Sequence, residues 1–361
     1  MMLKKLPLPL WTIALPILAW LAYLAPLNDL GFFQTLLLAI LLIGSVLAAV
    51  HHAEVVAHRV GEPYGTLILA LAITIIEVAL IVSLMLTGGP ETDALARDTV
   101  FAAVMIILTG MIGICLLVGG VKYKQQVFSL DGVKAALVAL TAILVLTLIL
   151  PNYTTSIEGP YYTDAQLIFV AIISLILYGT FVLVQAVRHR DFFLPPSNDG
   201  NEDVHADPPS KKVALLSLLL LLVCLGIVVL LSKALAPDIE NAVVNAGAPK
   251  SLVGVIIAAV VLLPEGLAAY RAARKNRLQT SLNLALGSAL ASIGLTIPAV
   301  AIVSMITGMT ITLGIDTKST VLLLLSQFTI MLSLGSGRTN ILQGVVLLTI
   351  FAAYLFTIVS P

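Results

Sequence analysis

The sequence predicts an all-α integral membrane protein of about eleven transmembrane helices: one extra helix and then two inverted five-helix repeats. Three observations carry that prediction. The first is composition. Of 361 residues, 60% are hydrophobic and 11% charged, with a mean hydropathy of +1.09. A soluble globular chain carries roughly 25% charged residues. The second is the placement of the 19 basic residues. The third is a set of residues that recur at matched places in the two halves.

Apolar runs of bilayer-spanning length follow one another along the whole chain. Proline, glycine and charge clusters bound them at about 8–26, 30–50, 64–87, 98–120, 133–151, 165–187, 213–235, 249–271, 280–307, 319–335 and 339–359. The first run follows Lys4 and Lys5 and contains Pro16. It lacks a small-residue cleavage site and is read as a retained span rather than a signal peptide. The formal net charge is zero, which excludes the concentrated basic face of a nucleic-acid binder. Cys115 and Cys224 both sit in apolar runs. They build neither a disulfide framework nor a zinc motif and are read as buried apolar filler.

Charge placement orients the spans. With the N-terminus in the cytoplasm, the cytoplasmic segments hold 15 of the basic residues. The opposite side holds 4, namely Arg97, Lys233, Lys250 and Lys318. This positive-inside bias predicts an odd number of spans, a cytoplasmic N-terminus and an external C-terminus, in a multi-pass protein of the cell's inner (plasma) membrane.

The long polar segment 188–212 divides the chain into an extra helix (1–29), a first repeat (30–187), this linker, and a second repeat (213–361). The linker carries Asp199, Glu202, Asp203 and Asp207 between two proline pairs. It reads either as a solvated connection or as a cation-attracting or regulatory segment, and it lacks the pattern of an EF-hand.

The two repeats share a register. Glu54 is followed by Gly61, Pro63 and the intramembrane Glu77, and Glu240 by Gly247, Pro249 and the intramembrane Glu265. Ala70 and Ala258 each stand seven residues before their glutamate. Corresponding segments are five spans apart. Because five is odd, the copies run in opposite directions across the bilayer, a design that places a binding site near the midplane where they meet.

Glu77 and Glu265 have no Lys or Arg within one helical turn. A carboxylate at bilayer depth is costly, so such residues face a protein interior or a wet cavity and are site candidates. Together they have the chemistry to hold a hard cation, with neutral oxygens completing its shell. When the cation leaves, mutual repulsion and lost hydration favour protons on the same oxygens. That competition is the chemistry of cation/proton exchange.

Neutral ligands must come from nearby. Pro264 and Gly266 flank Glu265 and are expected to break its helix, freeing carbonyls beginning with that of Val260. Thr74, one turn before Glu77, has a hydroxyl able to ligate an ion or bond back to the Ala70 carbonyl. Gly287 is likewise expected to break its helix at the site; Ser288 beside it shares a helix face with Ser292, and Thr109 with Gly110 is the loosely corresponding polar spot in the first half. Such hydroxyls also serve as helix-packing groups.

His51, His52 and His58 surround Glu54 and Glu62 at the cytoplasmic end of the second span. Glu54, His58 and Glu62 form one stripe if the helix continues. They read either as solvated helix-end residues or as a proton or cation entry able to sense pH, with Glu240 at the matched place in the other half.

These residues carry a resemblance. AEVVAHRVGEPYGTLILALAITIIEVALI resembles the first signature repeat of the cation/calcium exchanger superfamily, and VVLLPEGLAAYRAARKNRLQTSLNLALGSALASIGLTIP the second. GICLLVGGVKYKQQVFSLDG is similar to the segment that follows the first repeat. The match is to the bacterial calcium/sodium:proton antiporter branch (ChaA type), related to vacuolar cation/proton exchangers. The resemblance implies that Glu77 and Glu265 bind the ion and carry the exchanged proton, with Gly287 and Ser288 matching the family's Gly-Ser. Asn often stands three residues before each glutamate in that family; here those positions are Thr74 and Leu262. The Gly-Ser expected after the first repeat is replaced by FAAVMIILTG. The implied function is antiport of Ca²⁺, Na⁺ or K⁺ against protons, with these ions as substrates and no cofactor. A monovalent-only antiporter and a passive cation channel are the alternatives. An enzyme is not expected, since every aspartate lies in a loop or near a span end. The partners are inorganic cations, protons and the lipid bilayer, not nucleic acid. Oligomeric state is left open.

Overall fold

The computed structural model describes residues 8–25, 32–61, 64–88, 92–194, 209–247, 249 and 251–360. Among them, eleven helical rods follow in order: α1 (Leu10–Leu24), α2 (Phe32–Val60), α3 (Tyr64–Gly88), α4 (Leu95–Tyr123), α5 (Leu130–Tyr153), α6 (Asp164–Arg188), α7 (Lys211–Asn245), α8 (Ser251–Arg274), α9 (Leu278–Thr307), α10 (Thr317–Leu334) and α11 (Ile341–Val359). A short 3₁₀ helix (Arg190–Phe193) and two short strands, β1 (Gln125–Val127) and β2 (Arg338–Asn340), complete the secondary structure. The rods coincide with the eleven expected spans. Nine are long and apolar enough to cross a membrane; α1 and the Leu71–Leu86 stretch of α3 are shorter apolar helices.

Local chemistry fixes the ends. Thr163 and Asn340 open α6 and α11 with capping boxes completed by Gln166 and Gln343, each satisfying amides that the first turn leaves bare. The structure extends α2 to Val60 and α7 to Asn245, about ten residues past the apolar runs. Both then stop at a glycine in the left-handed region, Gly61 at φ 79° and Gly247 at φ 75°. A side chain there would be strained, whereas glycine enters without cost and turns the chain. These are the two glycines that the sequence register pairs.

The packing repeats in the same way. The two long helices α2 and α7 lie against each other. Thr35 near the start of α2 donates to Asp238 Oδ2 near the end of α7 at 2.6 Å. Arg59 at the end of α2 donates to the Pro209 carbonyl just before α7 at 3.4 Å. The pair is therefore antiparallel, as copies of opposite orientation must be. Likewise α3 packs on α9 and α8 on α4, while α6 packs on α9 and α11 on α4.

The connections cross between halves at both ends. At one end, β1 after α4 pairs antiparallel with β2 before α11, Gln125 opposite Asn340. At the other, the extended segment after α9 bonds to the α5–α6 connection: Leu313 and Gly314 donate to the Pro160 carbonyl, and Ile315 to that of Leu148. The first end also gathers Lys122 and Tyr123, both donating to the Arg274 carbonyl, and Asn283, donating to that of Phe193. The second gathers Arg97, bonded to Gly314, and Asn152, bonded to Ile315.

Apolar burial falls into one large cluster, centred on α4, α5, α6, α8, α9, α10 and α11, a smaller one on α1, α2 and α7, and a small third one joining Leu80 and Leu84 of α3 to Ile257 and Val261 of α8. α3 also contributes to the first two, Ile76 to the smaller cluster and Ile81 to the large. Glu77 stands between those two residues, at the seam.

Candidate ion-binding site

α3 and α9 bring Glu77 and Ser292 together from positions far apart in the chain. The Ser292 hydroxyl donates to Glu77 Oε1 at 2.5 Å, and Glu77 is only 4% exposed. A hydrogen bond to a charged group is stronger than a neutral one, and more so away from water. Thr74 lies one turn before Glu77 and is also buried.

α8 supplies Glu265, which is half-buried. The Ser288 hydroxyl of α9 lies against its carboxyl, and Glu77 is close enough for the two charges to interact. Oε2 of Glu265 is buried and has no hydrogen-bond partner. Ser288 and Ser292 thus use one face of α9 to touch both carboxylates, one turn apart. Among the described residues, neither glutamate forms an ion pair; the salt bridge found there joins Arg97 to Asp98. No three His, Cys, Asp or Glu side chains converge among them either. The site is a pair of acids lined by hydroxyls, suited to a hard cation or to protons rather than to a thiol- or imidazole-bound metal.

The expected helix break is corrected. α8 runs unbroken through Pro264 and Gly266, and α9 through Gly287. Proline at an α-helical φ removes one amide, so a single carbonyl, that of Val260, loses its helical partner. Neighbouring helices hold the rest of the rod in shape. Nothing lies within 4 Å of a Cβ built on Gly287. Ala70 and Ala258 stay inside unbroken helix, about 10 Å along the axis from their glutamates.

What the sequence did not reveal is a π turn. α4 widens at Ile106–Met111, around Thr109 and Gly110. The Thr109 hydroxyl bonds back to the Met105 carbonyl at 2.5 Å, and the Met111 methyl lies 3.4 Å from the Cβ position of Gly266. The bulge therefore packs against the segment that carries Glu265. π turns often mark functional sites, but no residue pattern announces them.

Residues 30–187 and 216–360 match the sequence model of the family described as sodium/calcium exchanger protein. The chain belongs to this family. A Sinorhizobium fredii protein that carries the name ionic transporter y4hA is 43% identical over 357 residues, 98% of this chain and 97% of that one. The sodium-potassium/proton antiporter ChaA of Escherichia coli is 36% identical over 325 residues, 90% of this chain and 88% of that one. The crystal structure of the Ca²⁺/H⁺ antiporter protein YfkE has the same fold, with a TM-score of 0.71 at 18% identity over 98% of this chain and 99% of that chain.

The acidic and histidine cluster divides. Glu54 and His58 are exposed one turn apart on α2, and Glu54 lies in the field of Arg271. Glu62 and residues 195–208 of the linker fall outside the described residues. Glu240 stands in the overhanging end of α7. His52, however, is fully buried, with Nε2 at 3.1 Å from the Thr12 carbonyl of α1. The His51 ring lies 5.9 Å from that of Trp11, tilted by 52°. Solvated helix-end residues therefore describe Glu54 and His58 but not this pair. α2 continues past them, and α1 covers them.

Proposed function

We propose that this chain is a secondary antiporter that exports Na⁺, K⁺ or Ca²⁺ from the cytoplasm in exchange for protons. The observation that carries the reading is the pair of intramembrane carboxylates, buried Glu77 held by Ser292 and half-buried Glu265 beside Ser288, with no basic partner among the described residues. Emptied of its cation, the pair takes up protons; filled, it releases them. Occupancy is therefore exclusive, and exclusive occupancy couples the two fluxes. The names of the relatives, one a sodium-potassium/proton antiporter and one a Ca²⁺/H⁺ antiporter, support the same exchange. Thr74 adds an oxygen on the α3 side, while Ala70 and Ala258 stand two turns before their glutamates in the chain. Glu54 and His58 at one mouth, and Glu240 at the other, serve as entry points, with Glu62 assigned to the first by sequence alone.

The same reading places the N-terminus in the cytoplasm and the C-terminus outside, in the inner (plasma) membrane. The division into 1–29, 30–187, 188–212 and 213–361 follows from it. The gathering of Lys122, Arg188, Arg274 and Arg338 toward one end supports this orientation.

Everted membrane vesicles, energised to an acidic interior, test the function. Adding Na⁺, K⁺ or Ca²⁺ dissipates the pH gradient when the protein is present. Conduction of cations with no proton flux would show a channel instead and overturn antiport.

A further inference from the structure

Glu77 and Glu265 occupy matched places in α3 and α8, and one neighbour differs. Three residues before Glu77 stands Thr74; three before Glu265 stands Leu262. A separation of three puts each on the same helix face as its glutamate. Both are buried, Thr74 at 4% and Leu262 at 3% exposure. Glu77 Oε1 accepts a hydrogen bond from Ser292, whereas Glu265 Oε2 is buried without a partner. A buried carboxyl oxygen with no partner is costly and needs a reason. Here the side chain one turn away offers only methyl groups.

We propose that Leu262 determines the ion selectivity of this chain. It presents hydrocarbon where the matched helix presents a hydroxyl, leaves the ion shell one oxygen short, and so favours Na⁺ or K⁺ over Ca²⁺. The inference rests on the antiport reading and specifies its substrate. Ca²⁺ requires six to eight oxygens, that is, about 6–8. The cost of stripping its water grows steeply with charge, so one missing ligand penalises a divalent ion far more than a monovalent one. The bare Glu265 oxygen is then available to a singly charged cation, which demands less of its surroundings.

Exchange in everted vesicles tests this, read as the ratio of apparent affinities for Ca²⁺ and Na⁺. The wild type is expected to favour Na⁺ or K⁺. If it exchanges none of the three ions, the antiport reading falls and this proposal with it. If it exchanges but prefers Ca²⁺ by about tenfold, the selectivity proposal alone is overturned. Leu262→Thr and Leu262→Asn, which restore an oxygen, are expected to raise the Ca²⁺ to Na⁺ ratio by about tenfold or more, the worth of one contact to a charge. Leu262→Val, which trims volume but adds no oxygen, is expected to leave the ratio unchanged. An equal shift in the valine variant, or no shift with threonine and asparagine while Na⁺ exchange persists, overturns the proposal. The wild-type ratio is an independent check should a variant fail to accumulate.

Discussion

In the first half of the molecule, Gly61 ends α2 at φ 79° and Glu77 on α3 accepts a hydrogen bond from Ser292. In the second, Gly247 ends α7 at φ 75° and Glu265 on α8 keeps one buried oxygen bare. The backbones agree while the side chains around the carboxylates do not. Duplicated architecture imposes the path of the chain, because turns and helix contacts follow from backbone geometry. It does not impose the ligand set, which single side chains can change on one copy alone.

The largest expected effect tests what the halves share. Glu77→Gln and Glu265→Gln should each reduce cation-driven proton exchange at least about a hundredfold, since each removes a charge the cation needs. If either variant exchanges like the wild type in energised vesicles, the paired-acid mechanism is wrong. The next effect tests their difference. Ser292→Ala removes a charge-assisted hydrogen bond worth about 2 kcal/mol and should weaken apparent cation affinity about thirtyfold. Ser288→Ala should cost less, because Glu265 already tolerates one bare oxygen. Titration of exchange against cation concentration gives both values, and equal losses would break the asymmetry.

A smaller effect returns to the shared backbone. Gly61→Ala and Gly247→Ala meet nothing within 4 Å, so the left-handed conformation alone sets the cost, about 1 kcal/mol each. Thermal unfolding in detergent should show two similar losses; a loss at one position only would limit the two-fold correspondence. The smallest effect is a gain. Gly287 lies inside α9 with open space at its Cβ position. Alanine there should stabilise the helix by up to about 1 kcal/mol in the same measurement.

Much of this was legible in the sequence, for identifiable reasons. Helix number followed from apolar runs, since burial in lipid demands long uninterrupted segments. Gly61 and Gly247 were visible as a pair because a left-handed turn admits few other residues. Glu77 and Glu265 stood out because charge is so rare in these spans. Pro264 misled: proline removes one hydrogen bond with certainty, but whether the rod breaks depends on neighbours distant in sequence. The π turn around Thr109 and the burial of His52 under α1 were invisible for the same reason. Both are settled by packing between elements, and no local pattern encodes it.

One consequence concerns how the chain is assembled. α4 packs along α11, which is made much later. Their approach is close: a Cβ on Gly120 would lie 2.6 Å from the Ile341 amide nitrogen, and one on Gly344 would lie 2.4 Å from that of Leu117. β1 likewise waits for β2, which is synthesised just before α11. A nascent chain emerging from the ribosome therefore carries α4 with an unfilled groove until α11 has been made. Until then lipid or the insertion machinery must cover that face, and α11 is the clasp that closes it.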